Sequence, residues 1–201
     1  LGDGAEARAP RQRAEHGIVA LVGEPGMGKS VQLRRIAKAV AGRSLSEDDM
    51  GQRIVPVLLD AAAPGQARAL EEIGGWAAAI EAALRPYWPD LDSSELQRLL
   101  AASRAPRFWL FVDGSDTLSD GERYRVWGGL LQFWRRYPRQ ACLVAYDLPL
   151  EDLEALPFTD CFLLQPIPQR ELKRYLLDLS PVGEALYGAL RRVQLCDLAA
   201  L

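Results

Sequence analysis

The stretch Gly23-Glu24-Pro25-Gly26-Met27-Gly28-Lys29-Ser30 fits G-x-x-x-x-G-K-[ST] at every fixed position, and its flanks constrain the fold further. Ile18-Val19-Ala20-Leu21-Val22 before it is a short apolar run suited to a buried parallel strand, and Val31 to Val40 after it places apolar residues at helical spacing. Strand, glycine loop and helix therefore come in the order of a phosphate-binding βα unit. A triphosphate needs several donors converging on its oxygens. Three glycines let the backbone curl close enough for its N–H groups to wrap a phosphate, and the helix N-terminus adds partial positive charge. Lys29 is placed to reach the β/γ oxygens, Pro25 stiffens the loop, and Ser30 offers a hydroxyl to Mg²⁺, a hard ion that prefers oxygen and keeps most of its waters. Gly23, Glu24, Pro25, Gly26, Met27, Gly28, Lys29, Ser30 and Val31 form the expected nucleotide-binding set. The competing reading is a glycine-rich turn that only caps a helix.

A phosphate loop (Walker A) works with a second acid, and Arg107-Phe108-Trp109-Leu110-Phe111-Val112-Asp113-Gly114-Ser115-Asp116 supplies two carboxylates at the end of an apolar strand, as a Walker B segment does. Asp113, at the carboxyl end of a buried strand, sits where an open α/β sheet places its ligands and is expected to hold the metal through water. Asp116 is expected to orient or deprotonate the attacking water, so Lys29 and Asp116 are the candidate catalytic residues, and Ser30 and Asp113 the metal site. The bland alternative is that Asp113-Gly114 begins a turn and Asp116 caps the next helix.

With 201 residues and 49% hydrophobic content the chain can bury a substantial core. No run approaches the length of a membrane span, and the first residues lack the pattern of a signal peptide. A net charge of −3 and scattered arginine pairs (Arg34-Arg35, Arg135-Arg136, Arg191-Arg192) give no nucleic-acid stripe; they suit solvated helix faces. Cys142, Cys161 and Cys196 lie far apart in apolar segments and read as reduced core residues of a cytoplasmic protein. His16 is the only histidine, which leaves little support for a His-based triad or zinc site. Beginning at Leu1 and stopping at Leu201 within a predicted helix, the chain is expected to be a fragment of something longer, with flanking domains.

The expected organisation is an N-terminal arm over 1–16, a nucleotide-binding core over 17–167 and the start of a helical lid over 168–201. Within the core, strands are expected at Arg53 to Asp60, Arg107 to Val112, Ala141 to Tyr146 and Asp160 to Leu164, besides the one before the loop; Pro56 places the first of these near a sheet edge. Helices are expected over about 67–84, over about 96–103 after the capping-box-like Asp92-Ser93-Ser94-Glu95, from Ser119-Asp120-Gly121-Glu122 onward, and over 169–179. The third of these carries Tyr124, Val126, Trp127, Leu130, Leu131 and Trp134 on one broad apolar face. The alternation of strand and helix demands right-handed crossovers and a parallel sheet covered on both faces.

The phosphate loop, the strand-borne Asp113-Gly114-Ser115-Asp116, and the segment from Phe162 to Leu176 resemble the STAND class of P-loop NTPases, especially its NACHT branch. The resemblance spans residues 18 to 178. It implies a three-layer α/β sandwich with a mainly parallel five-stranded sheet in the order 5-1-4-3-2. It also implies a helical lid, bound ATP or ADP with Mg²⁺, and a nucleotide-controlled switch able to self-associate when nucleotide is exchanged. The departures are as telling. Where the family usually has a polar segment with a sensor arginine, this chain reads Ala145-Tyr146-Asp147-Leu148-Pro149, and Thr117 replaces the second acid after Asp116. An anion facing the γ-phosphate would oppose the developing negative charge, so hydrolysis is expected to be slow or absent.

The chain contains no asparagine, which rules out the guanine-reading N-K-x-D motif and removes the polar sensor of many AAA+ motors. An adenine nucleotide is favoured. Three function classes follow: a regulatory nucleotide-binding module with weak ATPase activity, a P-loop kinase, and a catalytically silent interaction scaffold. The absence of an arginine-rich lid disfavours the kinase.

Overall fold

The computed structural model describes residues 17–46, 53–147 and 158–165, together with Arg170 and Arg174. The expected N-terminal arm, most of the expected lid, His16, Cys196 and Arg191-Arg192 lie outside the described residues. Strand β1 (Ile18–Gly23) leads through the glycine loop into α1 (Lys29–Ser44). Strand β2 (Ile54–Asp60) is followed by α2 (Gln66–Ala69), α3 (Ile73–Leu84) and α4 (Ser93–Ala101). Strand β3 (Arg107–Asp113) passes through a 3-10 turn, Ser115–Thr117, into α5 (Asp120–Arg136), and β4 (Ala141–Asp147) and β5 (Asp160–Leu163) follow.

The strands form one sheet in the order β2-β3-β4-β1-β5, with every described pair parallel. This is the expected 5-1-4-3-2 order, with helices on both faces. Strand β2 lies at the sheet edge, where Pro56, lacking an N–H, is tolerated.

Two-residue alternation along the strands divides the apolar side chains between two faces. Ala20 and Val22 of β1, Phe108, Leu110 and Val112 of β3, and Val144 and Tyr146 of β4 form one core with Trp76 and Ile80 of α3, Leu96 of α4 and Trp127, Leu130 and Phe133 of α5. The intervening Leu21, Phe111 and Ala145 face the other way and pack on Leu33 and Ala37 of α1. The first core is the larger, and its two tryptophans each remove roughly 150–250 Å² from water. Gln140 joins its layers: its Oε1 accepts from Phe108 N at 2.7 Å and its Nε2 donates to Leu100 O at 2.9 Å, in a fully buried position.

Four expectations need correction. The helix expected over 67–84 is broken between α2 and α3, because Leu70 is pulled wholly into the core and its carbonyl accepts from Trp76 Nε1 at 2.7 Å. Burial and a buried hydrogen bond there outweigh helix propensity. Helix α4 starts at Ser93, one residue past its cap Asp92, whose Oδ1 accepts from Glu95 N at 2.8 Å, and it ends at Ala101, where Ala102 turns extended. On α5, Tyr124 is 47% exposed and Phe133 takes its place in the core, because the face that meets the sheet begins a turn later. Cys142 is buried as expected, and burial pushes its thiol up, whereas Cys161 lies exposed on the edge strand β5. Arg34, Arg35, Arg135 and Arg136 are exposed on their helices, as solvated faces should be.

Candidate phosphate and metal site

All parallel strands end their carboxyl termini along one edge, and the register sets the functional groups side by side there: Gly23 pairs with Asp147, and Asp60 with Asp113. Such an edge is where open α/β sheets bind ligands. The glycine loop leaves this edge from β1. Gly26 and Gly28 hold φ values of 85° and 83°, a left-handed conformation that L side chains rarely adopt. A Cβ added at either would meet nothing within 4 Å, so the loop is glycine for its backbone angles and the space above it is open. Within the loop Met27 N donates to Glu24 O at 3.2 Å, closing a turn around Pro25.

Gly28 is the residue before α1 and brings no side-chain cap, so the first-turn amides of the helix are left for another acceptor. Lys29 opens the helix and its side chain is 7% exposed. Its Nζ donates to Gly23 O at 3.0 Å and Glu24 O at 2.9 Å and forms an ion pair with Asp147 Oδ1. Glu24 and Pro25 are exposed, and Val31, 55% exposed, turns its side chain to solvent.

Ser30, one residue into α1, meets β3: its Oγ donates to Asp113 Oδ1 at 2.9 Å. The same carboxylate oxygen accepts from Gly114 N at 3.1 Å. Gly114 has a φ of 75°, and a Cβ there would come within 2.5 Å of Asp60 Oδ1, so glycine is required both by angle and by space. Asp116 stands exposed on the 3-10 turn that follows. Ser115 beside it is fully buried, and its Oγ donates to Ala145 O at 2.6 Å, which ties the turn to β4.

The donor set suits a magnesium–phosphate complex. A hydroxyl and a carboxylate converge in contact, open amides stand at a helix start, and one buried ammonium lies between. Among the described residues no three acidic, histidine or cysteine side chains cluster to hold a metal by themselves. An ion here would therefore complete its shell with water and phosphate oxygens, as Mg²⁺ does. The structure brings together Lys29, Ser30 and Asp113 with the glycines, and leaves Val31 and Asp116 at the rim. Two participants escaped the sequence reading: Asp60, in register beside Asp113, and Ser115, the strut to β4. A signal existed, since β2, β3 and β4 all end in an apolar residue followed by aspartate, at Leu59-Asp60, Val112-Asp113 and Tyr146-Asp147.

No family model matches the sequence, and no curated protein matches it. Among solved structures the chain is similar to Drosophila ORC bound to DNA, at 20% identity over 92% of this chain and 47% of that one, with a TM-score of 0.56. It is also similar to the Aeropyrum pernix ORC2 protein in its ADPNP-ADP complexes, at 13% identity over 81% and 45% of the two chains, with a TM-score of 0.52. The chain spans about half the length of these structures. At such identities the likeness concerns the fold, a P-loop NTPase α/β sandwich, and does not single out the STAND class or its NACHT branch. Among the described residues no helix is long and apolar enough to cross a membrane.

Proposed function

We propose that this chain is a Mg²⁺-dependent ATP- or ADP-binding regulatory module, with slow or absent hydrolysis, that acts as a nucleotide-controlled switch in a larger signalling or defence protein. The observation that carries the reading is the 2.9 Å hydrogen bond from Ser30 Oγ to Asp113 Oδ1, because it joins the hydroxyl and the carboxylate that a magnesium–phosphate complex needs. In this reading the loop amides from Gly23 to Val31, Pro25 having none, hold the phosphates, Ser30 and Asp113 hold the metal, and Lys29 neutralises phosphate charge. Bound Mg²⁺ supplies charge neutralisation between phosphate oxygens.

An adenine base is favoured by the missing guanine-reading motif and supported by the ADPNP and ADP complexes of the structurally similar ORC2 protein. The STAND and NACHT resemblance supports the switch, with flanking domains, protein partners and nucleotide-dependent self-association as its expected context. Asp116 serves as the water-orienting group where turnover occurs. A silent nucleotide-binding scaffold is the second reading, favoured by the ion pair that already engages Lys29.

Denaturing the purified protein and identifying the released nucleotide by chromatography tests the proposal. Recovered ADP or ATP supports it; a protein that carries none and acquires none when incubated with Mg²⁺ and either nucleotide contradicts it. Asp116→Asn should leave binding intact and abolish any hydrolysis, and unchanged hydrolysis would remove Asp116 from its role.

A further inference from the structure

We propose that Asp147 is the resident counter-charge of Lys29 and makes the site prefer a nucleoside diphosphate over a triphosphate, an inference that rests on the nucleotide-binding reading above. Asp147 ends β4 and lies in register beside Gly23, the last residue of β1 before the loop. Its side chain is 19% exposed and that of Lys29 7%, so the two charges meet largely out of water. A lysine ammonium has three N–H donors. Here they face three acceptors: Gly23 O at 3.0 Å, Glu24 O at 2.9 Å and the Asp147 carboxylate. The ammonium is folded back on its own loop, hydrogen-bonded to the two carbonyls and ion-paired with the carboxylate.

A phosphate oxygen that reaches Lys29 meets a cation already paired with the Asp147 carboxylate. The two carbonyls are neutral and coexist with an incoming anion. The carboxylate does not, because it competes for the same cation and repels the newcomer. Each further phosphate adds negative charge near Asp147, so the third is opposed more strongly than the second. Arg123, a cation on α5, does not relieve this opposition. It packs over the ring of Tyr146 at 5.6 Å, a ring that alternation turns to the opposite sheet face, and it donates to Leu118 O at 3.1 Å. The aspartate thus opposes a third phosphate at Lys29 rather than assisting it.

The test titrates nucleotide-free protein with ADP and with ATP in Mg²⁺ by calorimetry, for the wild type, Asp147→Asn and Asp147→Ala, with melting curves to establish that each variant is folded. The wild type should bind ADP at least about tenfold more tightly than ATP, since one unit charge several ångströms away at an effective dielectric near 20 changes affinity by about that or more. Both variants should gain at least about tenfold for ATP, and a smaller factor for ADP, so that the ATP-to-ADP affinity ratio rises. Equal wild-type affinities, or an ATP-to-ADP ratio unchanged in the folded variants, would overturn the assignment of Asp147 while leaving the nucleotide site standing. Failure of wild type and variants alike to bind either nucleotide would overturn the underlying reading, and this inference with it.

Discussion

Ser30 Oγ donates to Asp113 Oδ1 across 2.9 Å, joining two residues 83 positions apart in the chain. The contact exists because α1 begins at the carboxyl edge of β1 while β3, two strands away, ends at that same edge. Parallel order brings the ends together, and the glycine loop sets the serine in reach. If the pair holds magnesium, Ser30→Ala and Asp113→Asn should each weaken ADP binding in Mg²⁺ by roughly 10–100-fold, the range for losing a partner of a bound metal. In excess EDTA the variants and the wild type should bind alike. A loss of the same size with and without the metal would assign the pair a purely structural role.

Neighbouring glycines on α5 should respond with opposite signs. A Cβ at Gly129 would lie 2.2 Å from Leu70 O and 2.8 Å from Glu71 C, both backbone atoms at the break between α2 and α3. Gly129→Ala should therefore cost about 1–3 kcal/mol through overpacking. A Cβ at Gly128 would meet nothing within 4 Å, so Gly128→Ala should stabilise by roughly 0.5–1 kcal/mol through helix propensity. Urea unfolding of the two variants measures both effects, and the same sign in both would refute the packing described for α5.

Gln140 offers a sharper test of what holds β3 in place. Gln140→Leu keeps much of the volume but leaves Phe108 N and Leu100 O buried without their partner. Each orphaned group costs about 1–3 kcal/mol, so a loss of roughly 2–6 kcal/mol is expected in chemical denaturation. A loss below about 0.5 kcal/mol would mean that other partners replace the amide.

Much of this was legible in the sequence, for a physical reason. The strand and helix signals that succeeded, such as those of β1, β3 and α1, come from local periodicity in segments buried on both faces or on one. The edge position of β2 could be read because proline lacks a donor. What could not be read depended on contacts between distant segments. The break at Leu70 follows from a tryptophan six residues on and a glycine on α5, and its local sign is Gly75, where a Cβ would collide with the Ala69 carbonyl. The exposure of Cys161 reflects the edge position of β5 rather than its apolar neighbours. At the site, the loop and Asp113 stood out by motif, but the ion pair of Lys29 with Asp147 needs the register of β1 and β4.

Three hydrogen-bonded carboxylates give the fold a defined acid limit. Ser93 and then Arg85 hold Glu81 below its ordinary range, the Glu95 amide and then Ser94 do so for Asp92, and Ser119 does so for Glu122. A carboxylate with a lowered folded pKa stabilises above its unfolded value and loses that contribution as pH falls through the folded one. Thermal stability from these groups should thus be level from about pH 7 to 5 and decline below about pH 4. The double variant Asp92→Asn/Glu122→Gln should decline less steeply. An identical acid profile would show that other groups govern it.

The central claim, that the glycine loop with Lys29, Ser30 and Asp113 is a magnesium–nucleotide site, is met most directly by calorimetric titration of nucleotide-free protein with ADP. Wild type and Lys29→Ala are compared, each with and without Mg²⁺. The account predicts saturable binding at one site per chain, tightened by Mg²⁺ and lost in Lys29→Ala while the variant's melting curve stays cooperative. Absence of binding in the wild type, or equal binding by the folded Lys29→Ala protein, would contradict it.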